Sequence, residues 1–551
     1  MDPKTKIRPA ATLALTRDTN EGLEVLLLQR TWDAVFLPGF YVFPGGAVDA
    51  ADQDCLPWLE GHDDQSASAM LGLDSGGAGY LIAAIRECFE EAGILLALDA
   101  GGHLIGANHP NIHRERDAVS CGDVPLADLC RRHRLKLPLD RLAYLSHWIT
   151  PPGAPRRFDT RFFVAAAPSG QVPEHDGVET IEHVWLSPDQ ALADHREGRR
   201  LFGSPTLRTL RILAEFRTTS ALLAHTHAQP PEPFPSEPWP AQDRTGSRQM
   251  LEPGAPAYDE VRKLDPNASG SARASIRTGE PVAIAPGVVR LTAPNAGMMT
   301  GPGTNTYLLG TDSFTVIDPG PADEGHLERI LEYTGGRIEQ ILVTHTHRDH
   351  SPAAGPLQAR TGARLLGIAG PDEPSQDGSF RPDQTLQDGS KVETDAGRLR
   401  ALHTPGHASN HLCYLLEDEQ LLFSGDHIMQ GSTVVINPPD GDMKAYLESL
   451  DRLLQEDIRH IAPGHGFLMG HAHAVIDYLS THRLAREHKV VEALKAQGPS
   501  RLADLTPHVY DDVPSAIHGI ASRSLLAHLN KLVQDGRARA EGDHWQLVSG
   551  A

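Results

Sequence analysis

The chain has 551 residues, too many for a single hydrophobic core, and this length suggests three or four domains. Its net charge of -22 argues against a general affinity for nucleic acid or for an anionic membrane surface. Its five scattered cysteines form no paired motif, and no apolar run approaches the length of about 18 residues that indicates a membrane span. These features predict a cytoplasmic, multidomain α/β protein with no membrane partner.

Residues 1–225 read as one domain. Residues 8–30 predict two strands joined by a turn, and residues 53–79, which are acidic and rich in serine and glycine, predict an inserted loop. A helix is predicted over roughly 80–92, with Gly93 placed to end it. Later elements are strands at RFFVAAA and IEHVWLS and helices near 188–195 and 205–224.

Three glutamates, Glu87, Glu90 and Glu91, fall on one face of the predicted helix, where like charges repel. Such a row is ordinarily a solvated surface. Here, however, RECFEEAGI fits the pattern R-E-U-x-E-E-x-G-U, in which U is a bulky apolar residue or cysteine, and it follows the glycine pair of VFPGG. On these motifs the chain resembles the Nudix hydrolases, which implies an α/β/α sandwich.

The resemblance implies that the three glutamates bind Mg²⁺ or Mn²⁺ and that Glu87 and Glu90 take part in catalysis. Arg86 is expected to form an ion pair that orients a glutamate. The acid that the family pattern places after Gly46 is Asp52, and 33 residues rather than seven separate it from Arg86. This insertion, with LSHWITP and RRFDTRFF, resembles the peroxisomal coenzyme A diphosphatases and implies cleavage of a nucleotide such as CoA or acyl-CoA.

Three further residues are candidates for this site. Glu179 lies in the loop where the family often keeps another carboxylate, and it is either a catalytic base, a fourth metal ligand or a surface acid. Arg156 and Arg157 have two interpretations of equal weight. They bind the 3′-phosphate of coenzyme A, or they form structural ion pairs.

Residues 226–282 are predicted to form a proline-rich linker, because AQPPEPFPSEPWPAQ carries six prolines within residues 230–240. Within this stretch, residues up to 262 are a possible return segment that folds back on the first domain. Strand-like and helical runs then alternate over 283–490, which predicts a layered α/β domain. Residues 491–551 read as helices and a hairpin, the pattern of a winged helix.

A cluster of histidines ends an apolar strand in ILVTHTHRDHSPAAG. Residues two apart in an extended segment point the same way, so His345 and His347 converge while Asp349 and His350 face another side. Three histidines and an aspartate within six residues predict a metal site. Each of HTPGH, LLFSGD and IAPGHG later adds one polar residue after a strand-like run: His407, Asp426 and His465.

This set of motifs resembles the metallo-β-lactamase fold, an αββα sandwich. The resemblance implies two Zn²⁺ ions, one held by His345, His347 and His407, and one by Asp349, His350 and His465, with Asp426 between them. Zinc lowers the pKa of bound water toward neutrality. Asp349 is a catalytic candidate, and His411 is either a donor to the reacting oxygen or a partner behind the ligands.

The motifs GPGTNTYLLG, TPGHASNH and THRLAREH resemble the lactamase-β-2 group, whose relatives include single-strand RNA endonucleases and thioesterases. Residues 491–551 hold six lysines and arginines against seven acidic residues, which argues against a phosphate-binding surface. The favoured hypothesis is a bifunctional hydrolase: a pyrophosphatase on CoA or acyl-CoA, joined to a thioesterase-like zinc hydrolase. The alternatives are a zinc endonuclease acting on single-stranded RNA, and a Nudix half that senses a nucleotide and regulates the zinc half.

Overall fold

A computed structural model of the chain describes residues 6–35, 37–106, 112, 114–229, 231 and 235–548. The chain divides into two compact units, Met1–Trp239 and Pro240–Ala551. Among the described residues, no helix combines the length and the apolar character that a bilayer crossing requires.

The first unit is built on a mixed seven-stranded sheet. The strands of this unit are, in chain order, β1 (Ile7–Thr19), β2 (Gly22–Arg30), β3 (Tyr41–Val42), β4 (Gly45–Ala47), β5 (Leu59–Glu60), β6 (Leu137–Pro138), β7 (Ala143–Ile149), β8 (Arg157–Ala166) and β9 (Thr180–Leu186). The strand order in the seven-stranded sheet is β3-β2-β1-β8-β7, with β4 beside β1 and β9 beside β2. Strands β5 and β6 pair with each other in a separate sheet. The register sets Ala11 of β1 beside Gly46 of β4 and beside Arg161 of β8.

Helices cover both faces of this sheet, and their described bounds for α1 to α7 are Asp64–Leu71, Gly77–Ala92, Arg116–Ser120, Leu126–His133, Pro188–Arg196, Ser204–Leu213 and Thr219–Ala228. The apolar side of α2 packs on one face with Leu13 and Phe163. Helices α5, α6 and α7 supply residues to the core on the other face, with Val25 and Val164. The predicted α/β/α sandwich is therefore confirmed.

Two local predictions in this unit are wrong. The loop predicted over 53–79 contains a 3-10 helix, Ala50–Trp58, and the helix α1, which Asp63 caps by accepting a hydrogen bond from the Ser66 amide. The single helix predicted over 205–224 is two helices, α6 and α7. They are separate because Thr218 is the N-cap of α7, where its side chain accepts a hydrogen bond from the Ala221 amide. Short helices of small residues leave a weak periodic signal in the sequence.

The second unit contains two facing sheets. The strands of the first sheet, β12 to β18, are Pro281–Ala285, Val288–Thr292, Asn305–Leu309, Phe314–Ile317, Ile338–Leu342, Arg364–Gly367 and Gln384–Thr385. Those of the second, β19 to β23, are Lys391–Thr394, Gly397–His403, Leu412–Leu416, Leu421–Gly425 and His460–Pro463. Both sheets follow chain order, and their facing sides share one core that includes Tyr414 and Phe423.

Helices cover the outer faces of these two sheets. Helices α9 (Glu324–Thr334) and α10 (Ala354–Thr361) pack on the first sheet, and α11 (Met443–Leu453) and α12 (Ala472–Gln497) pack on the second. The predicted αββα sandwich is confirmed. Its last helix, α12, is shared: Ile476 lies in the sandwich core and Val490 in the next core, so the domain boundary predicted at residue 490 falls inside a helix.

The chain ends in a winged helix built from the end of α12, two helices and a small sheet. The elements are β24 (Ser500–Arg501), α13 (Leu502–Val509), α14 (His518–Gln534), β25 (Ala538–Glu541) and β26 (His544–Leu547), in the sheet order β24-β26-β25. Leu505, Leu525 and Leu529 pack in its core.

The segment predicted to be a linker divides between the units: its described residues up to Trp239 belong to the first unit, and from Pro240 onward, including the predicted return segment, it is folded within the second unit. It contains β10 (Trp239–Gln242), β11 (Arg248–Leu251) and α8 (Tyr258–Leu264). Glu260 forms a buried ion pair with Arg290 and accepts a hydrogen bond from the Leu468 amide at 2.8 Å. Burial of Arg290 requires such a partner, and this tertiary requirement overrides the linker-like composition.

Candidate metal centres

Arg86 lies at the centre of the acidic cluster in the first unit. Its Nε donates to Asp52 Oδ1 at 2.8 Å, and its Nη1 donates to Glu87 Oε1 at 2.8 Å and to Glu90 Oε2 at 3.2 Å. Its Nη2 also donates to the carbonyl of Ala47 at 2.8 Å. The predicted orienting role is thus supported by contacts to the loop acid and to two of the helix glutamates.

The third glutamate is held from the sheet side. Glu91 is buried, and its Oε2 accepts a hydrogen bond from the Gly45 amide at 2.9 Å. Gly46 lies under Glu87: a Cβ on Gly46 would come within 2.4 Å of the Glu87 carboxylate. The glycine pair of the motif therefore lets the backbone of β4 approach the carboxylates of α2 closely.

Burial raises the pKa of all three glutamates. Burial raises the pKa of Glu90 to about 7, although the positive charge of Arg86 lowers it in part. For Glu87 burial again raises the pKa, while for Glu91 burial and the neighbouring Glu87 raise it well above its usual range. Three carboxylates contact Arg86 and a fourth, Glu91, lies near Glu87; such a cluster favours a divalent cation, and hard carboxylate oxygens suit Mg²⁺ or Mn²⁺.

The other predicted residues of this unit fall in two places. Glu179 is exposed, but it is close enough to raise the pKa of Glu87 and Glu91, so it lies beside the cluster. Arg157 donates to the Thr150 carbonyl at 2.8 Å and to Glu237 at 2.9 Å, and these contacts favour its structural role. Arg156 is exposed and directly precedes β8.

The Gly46→Ala variant is expected to lower pyrophosphatase activity about tenfold with little change in thermal stability. Its methyl group displaces the end of a flexible side chain, Glu87, which the reaction is expected to need. Steady-state rates and melting temperatures check this. The matched control is Gly106→Ala, whose nearest neighbour would be 3.4 Å away, and equal losses in both variants would contradict the expectation.

In the second unit, seven polar residues collect at one edge of the sandwich because each follows the end of a strand. The loop after β16 carries four of them, and the loops after β20, β22 and β23 carry one each. They form two groups whose ligand atoms all lie within 4.8 Å of one another: His345, His347 and His407, and Asp349, His350, Asp426 and His465. Both groups are found among the described residues.

The first group is made of three imidazoles. His347 Nδ1 lies 2.9 Å from His345 Nε2 and 3.0 Å from His407 Nε2. His407 Nδ1 donates to the Val435 carbonyl at 2.9 Å, and His345 Nδ1 lies 3.1 Å from the Thr344 hydroxyl. These outer contacts turn the Nε2 lone pairs of His345 and His407 inward, toward a shared point.

The second group is made of two imidazoles and two carboxylates. Asp349 Oδ2 and Asp426 Oδ1 each lie 3.2 Å from His465 Nε2 and 3.4 Å from His350 Nε2. A tetrahedral zinc with bonds of about 2.0–2.1 Å separates its ligand atoms by about 3.3 Å. His350 Nε2, His465 Nε2 and Asp426 Oδ1 are buried and make no hydrogen bond with the described residues, so they fit a metal ion.

Asp426 lies between the two groups. Its Oδ1 faces His350 and His465, and its Oδ2 is 3.8 Å from His407 Nε2. The carboxylates Asp426 and Asp349 overcome the effect of burial on His465 and raise its pKa to about 9. Burial instead lowers the pKa of His347 to about 3, which keeps that imidazole neutral and able to act as a ligand.

Asp318 was missed in the sequence. It follows β15, and its Oδ2 accepts from His350 Nδ1 at 2.9 Å and from the Thr344 hydroxyl at 2.7 Å. Its backbone has φ 49°, a left-handed conformation that aspartate and asparagine tolerate. The signal that pointed to it was VIDPG, an aspartate directly after a buried strand.

The Asp318→Asn variant is expected to weaken zinc affinity about 10- to 100-fold. Asparagine keeps the size and the backbone conformation but loses the charge and one acceptor, so the orientation of His350 is no longer fixed. Competition with a chelating indicator measures the change. Asp312→Asn, at an exposed loop position, is the control, and an unchanged affinity in Asp318→Asn would contradict the positioning role.

His411 packs beside the expected ligand His345. It is fully buried, its Nδ1 is 3.0 Å from the Thr404 hydroxyl, and its ring stacks on His345 with centroids 5.0 Å apart. Its stacking on the expected ligand His345 places it beside that residue. The structure favours its alternative role as a partner behind the ligands.

A cavity of about 640 Å³ opens over the two groups. Four of the seven polar residues line it, namely His347, Asp349, His407 and Asp426. The side chain of Asp349 is 27% exposed, more than that of the other carboxylate, Asp426, at 10%. Asp349 is therefore the more accessible acid for a bound substrate.

Comparison with known proteins agrees with this division of the chain. Residues 75–213 match the NUDT19 Nudix domain, residues 299–465 match the metallo-beta-lactamase superfamily, and residues 502–545 match the beta-lactamase associated winged helix domain. The first and second of these are families of hydrolases, and both are metal-dependent.

Individual proteins resemble one half of the chain or the other. The beta-lactamase-like protein 2 homolog of Caenorhabditis elegans is 32% identical over 45% of this chain and 85% of its own length. An atrochrysone carboxyl ACP thioesterase of Aspergillus chevalieri is 32% identical over 47% of this chain and 82% of its own. The crystal structure of a Nudix hydrolase from Alicyclobacillus acidocaldarius is 28% identical, covers 40% of this chain and 97% of its own, and has a TM-score of 0.35. The chain therefore belongs to the metallo-β-lactamase superfamily and joins, in order, a NUDT19-type Nudix domain, a metallo-β-lactamase domain and a β-lactamase-associated winged helix.

Proposed function

We propose that the chain is a bifunctional hydrolase in which the Nudix domain cleaves the diphosphate of CoA or acyl-CoA and the second unit cleaves acyl thioesters with two zinc ions. The observation that carries the zinc half is a set of buried ligand atoms that make no hydrogen bond with the described residues: His350 Nε2, His465 Nε2 and Asp426 Oδ1. Neutral imidazole nitrogens and carboxylates are the ligand set that zinc prefers.

The ligand roles follow the two groups. The first zinc would be held by His345, His347 and His407, the second by Asp349, His350 and His465, and Asp426 would contact both. When bound, the metals supply Lewis acidity toward the thioester carbonyl and lower the pKa of water. Asp349, which lines the cavity, is placed to accept the proton of the attacking water, and the buried surroundings of His350 and His465 exclude bulk solvent.

A thioester is favoured as the substrate for two reasons. The relative from Aspergillus chevalieri is named a thioesterase, and it aligns with almost half of this chain. The cavity beside the zinc ligands also has apolar side chains at its opening, Met298 and Met299, which suit an acyl group better than a phosphodiester.

In the Nudix domain, Glu87, Glu90 and Glu91 would bind Mg²⁺ or Mn²⁺, and Glu179 would serve as a further ligand or a base. The metals supply charge neutralisation for the diphosphate when bound. Arg86 holds Glu87 and Glu90 in a common orientation and ties them to Asp52. A pure nucleotide sensor does not need this arrangement, and for that reason we favour hydrolysis over sensing.

One experiment separates the two activities by their products. The full chain is incubated with acyl-CoA, and the products are resolved by mass spectrometry. Thioester cleavage releases free CoA and the acid, whereas diphosphate cleavage releases adenosine 3′,5′-bisphosphate and acyl-phosphopantetheine. Both product sets are expected with zinc and Mg²⁺ present. Turnover of single-stranded RNA but of no thioester would replace the zinc half of the proposal with the endonuclease.

A further inference from the structure

The cavity over the zinc ligands extends as far as the winged helix. The residues that line it there include Ile517, Ile520, Ala521 and Ser524. Their spacing of three, four and seven residues places them on one side of α14 and of the turn that leads into it. A side of the winged helix therefore faces the hydrolase centre.

A neighbouring side of α14 explains how the winged helix folds. Leu525, Leu529 and Leu532 are fully buried and pack in the winged-helix core. Ile517 and Ile520 are not among the residues of that core, and they line the cavity instead.

Large apolar side chains that remain exposed converge on this cavity. Met298 is 81% exposed, Met299 is 51% exposed and Ile517 is 39% exposed, and all three line it. Exposed apolar groups gathered around one concave site indicate a bound apolar ligand.

Two arginines give the same cavity a positive edge. Of the four arginines that line it, Arg348 and Arg523 are exposed, and the ion pairs found among the described residues include neither of them. An apolar wall beside unpaired guanidinium groups fits a ligand with an apolar chain and an anionic carrier. Both features belong to the acyl thioester of a phosphate-bearing thiol.

We propose that the cavity side of α14 is the acyl-binding wall of the zinc hydrolase, so that the winged helix selects thioesters by chain length. This inference rests on the thioesterase function proposed above. Ile517 and Ile520 contact the chain beyond the carbonyl, and Arg348 and Arg523 contact the anionic carrier.

The test is a chain-length series of acetyl-, octanoyl- and palmitoyl-CoA with the zinc-loaded full chain. The wild type is expected to prefer the longer chains. Ile520→Trp fills the wall and is expected to lower kcat/KM for palmitoyl-CoA at least about tenfold while changing that for acetyl-CoA less than about twofold. Val533→Trp is the matched control, because Val533 is a 38% exposed residue of the same helix outside the cavity lining.

Binding separates this inference from the function on which it rests. Affinities of S-alkyl CoA thioethers, whose thioether bond cannot be hydrolysed, are measured for wild type, Ile520→Trp and Ile517→Ser without Mg²⁺ or Mn²⁺, so that the diphosphate stays intact. Length-dependent binding that either variant weakens, without turnover of any thioester, would overturn the thioesterase and leave the acyl wall standing. Turnover and affinity that are independent of chain length in the wild type would overturn the acyl wall, whether or not the variants fold.

Discussion

The Asp426→Asn variant is expected to lower thioester hydrolysis about 10³-fold or more, because the lost contacts with two metals correspond to several kcal/mol of transition-state stabilisation. Asp426 presents one oxygen to His350 and His465 and the other to His407, so no other residue of the cluster faces both groups in this way. Asparagine keeps the volume but lacks the charge that opposes the buried cations.

The same variant is expected to contain less zinc per chain, since the carboxylate that joins the two groups is gone. Initial rates with acyl-CoA and elemental analysis of the purified protein measure the two effects. The internal control is diphosphate cleavage by the same sample, which is expected to stay unchanged. A thioesterase rate within a few-fold of wild type would show that Asp426 is not part of the reaction.

The Glu87→Gln variant is the reciprocal prediction, with a loss of diphosphate cleavage of about 10²-fold or more. Glu87 accepts from Arg86, lies against Gly46 and has a pKa that burial raises, so an uncharged amide at this place removes a ligand that the metal would stabilise. Glutamine also replaces one carboxylate oxygen, an acceptor, with an amide NH₂ group, a donor, near the Arg86 guanidinium.

Rates at several Mg²⁺ and Mn²⁺ concentrations check this variant, because a weakened metal site is expected to need more metal for half-maximal activity. Thioester hydrolysis by the same sample serves as the control and is expected to be unaffected. Retention of full diphosphatase activity at low Mg²⁺ would favour the sensor alternative for the Nudix domain.

Residues that carry chemistry at fixed local spacing could be predicted from the sequence. His345, His347, Asp349 and His350 lie within six residues after an apolar strand, and alternation along that segment divided them between two groups, as the geometry does. The RECFEEAGI motif likewise placed three glutamates on one helix.

Features that depend on tertiary partners could not be predicted in this way. Asp318 is a single aspartate after a strand, and its role comes from His350, which is 32 residues away. Glu260 lies in a proline- and glycine-rich segment with a linker-like composition, yet the buried Arg290 fixes that segment in the second unit. The packing of His411 on His345 likewise joins residues 66 positions apart in the sequence.

One chain is proposed to hold two metal centres with different ligand chemistry. The transition-metal content of the purified full chain, measured together with that of Asp426→Asn and Glu87→Gln, tests this most directly. About two zinc ions per chain are expected in the wild type and in Glu87→Gln, and fewer in Asp426→Asn. A wild-type chain that retains no zinc after growth with the metal, or zinc that is lost in Glu87→Gln and retained in Asp426→Asn, would contradict it.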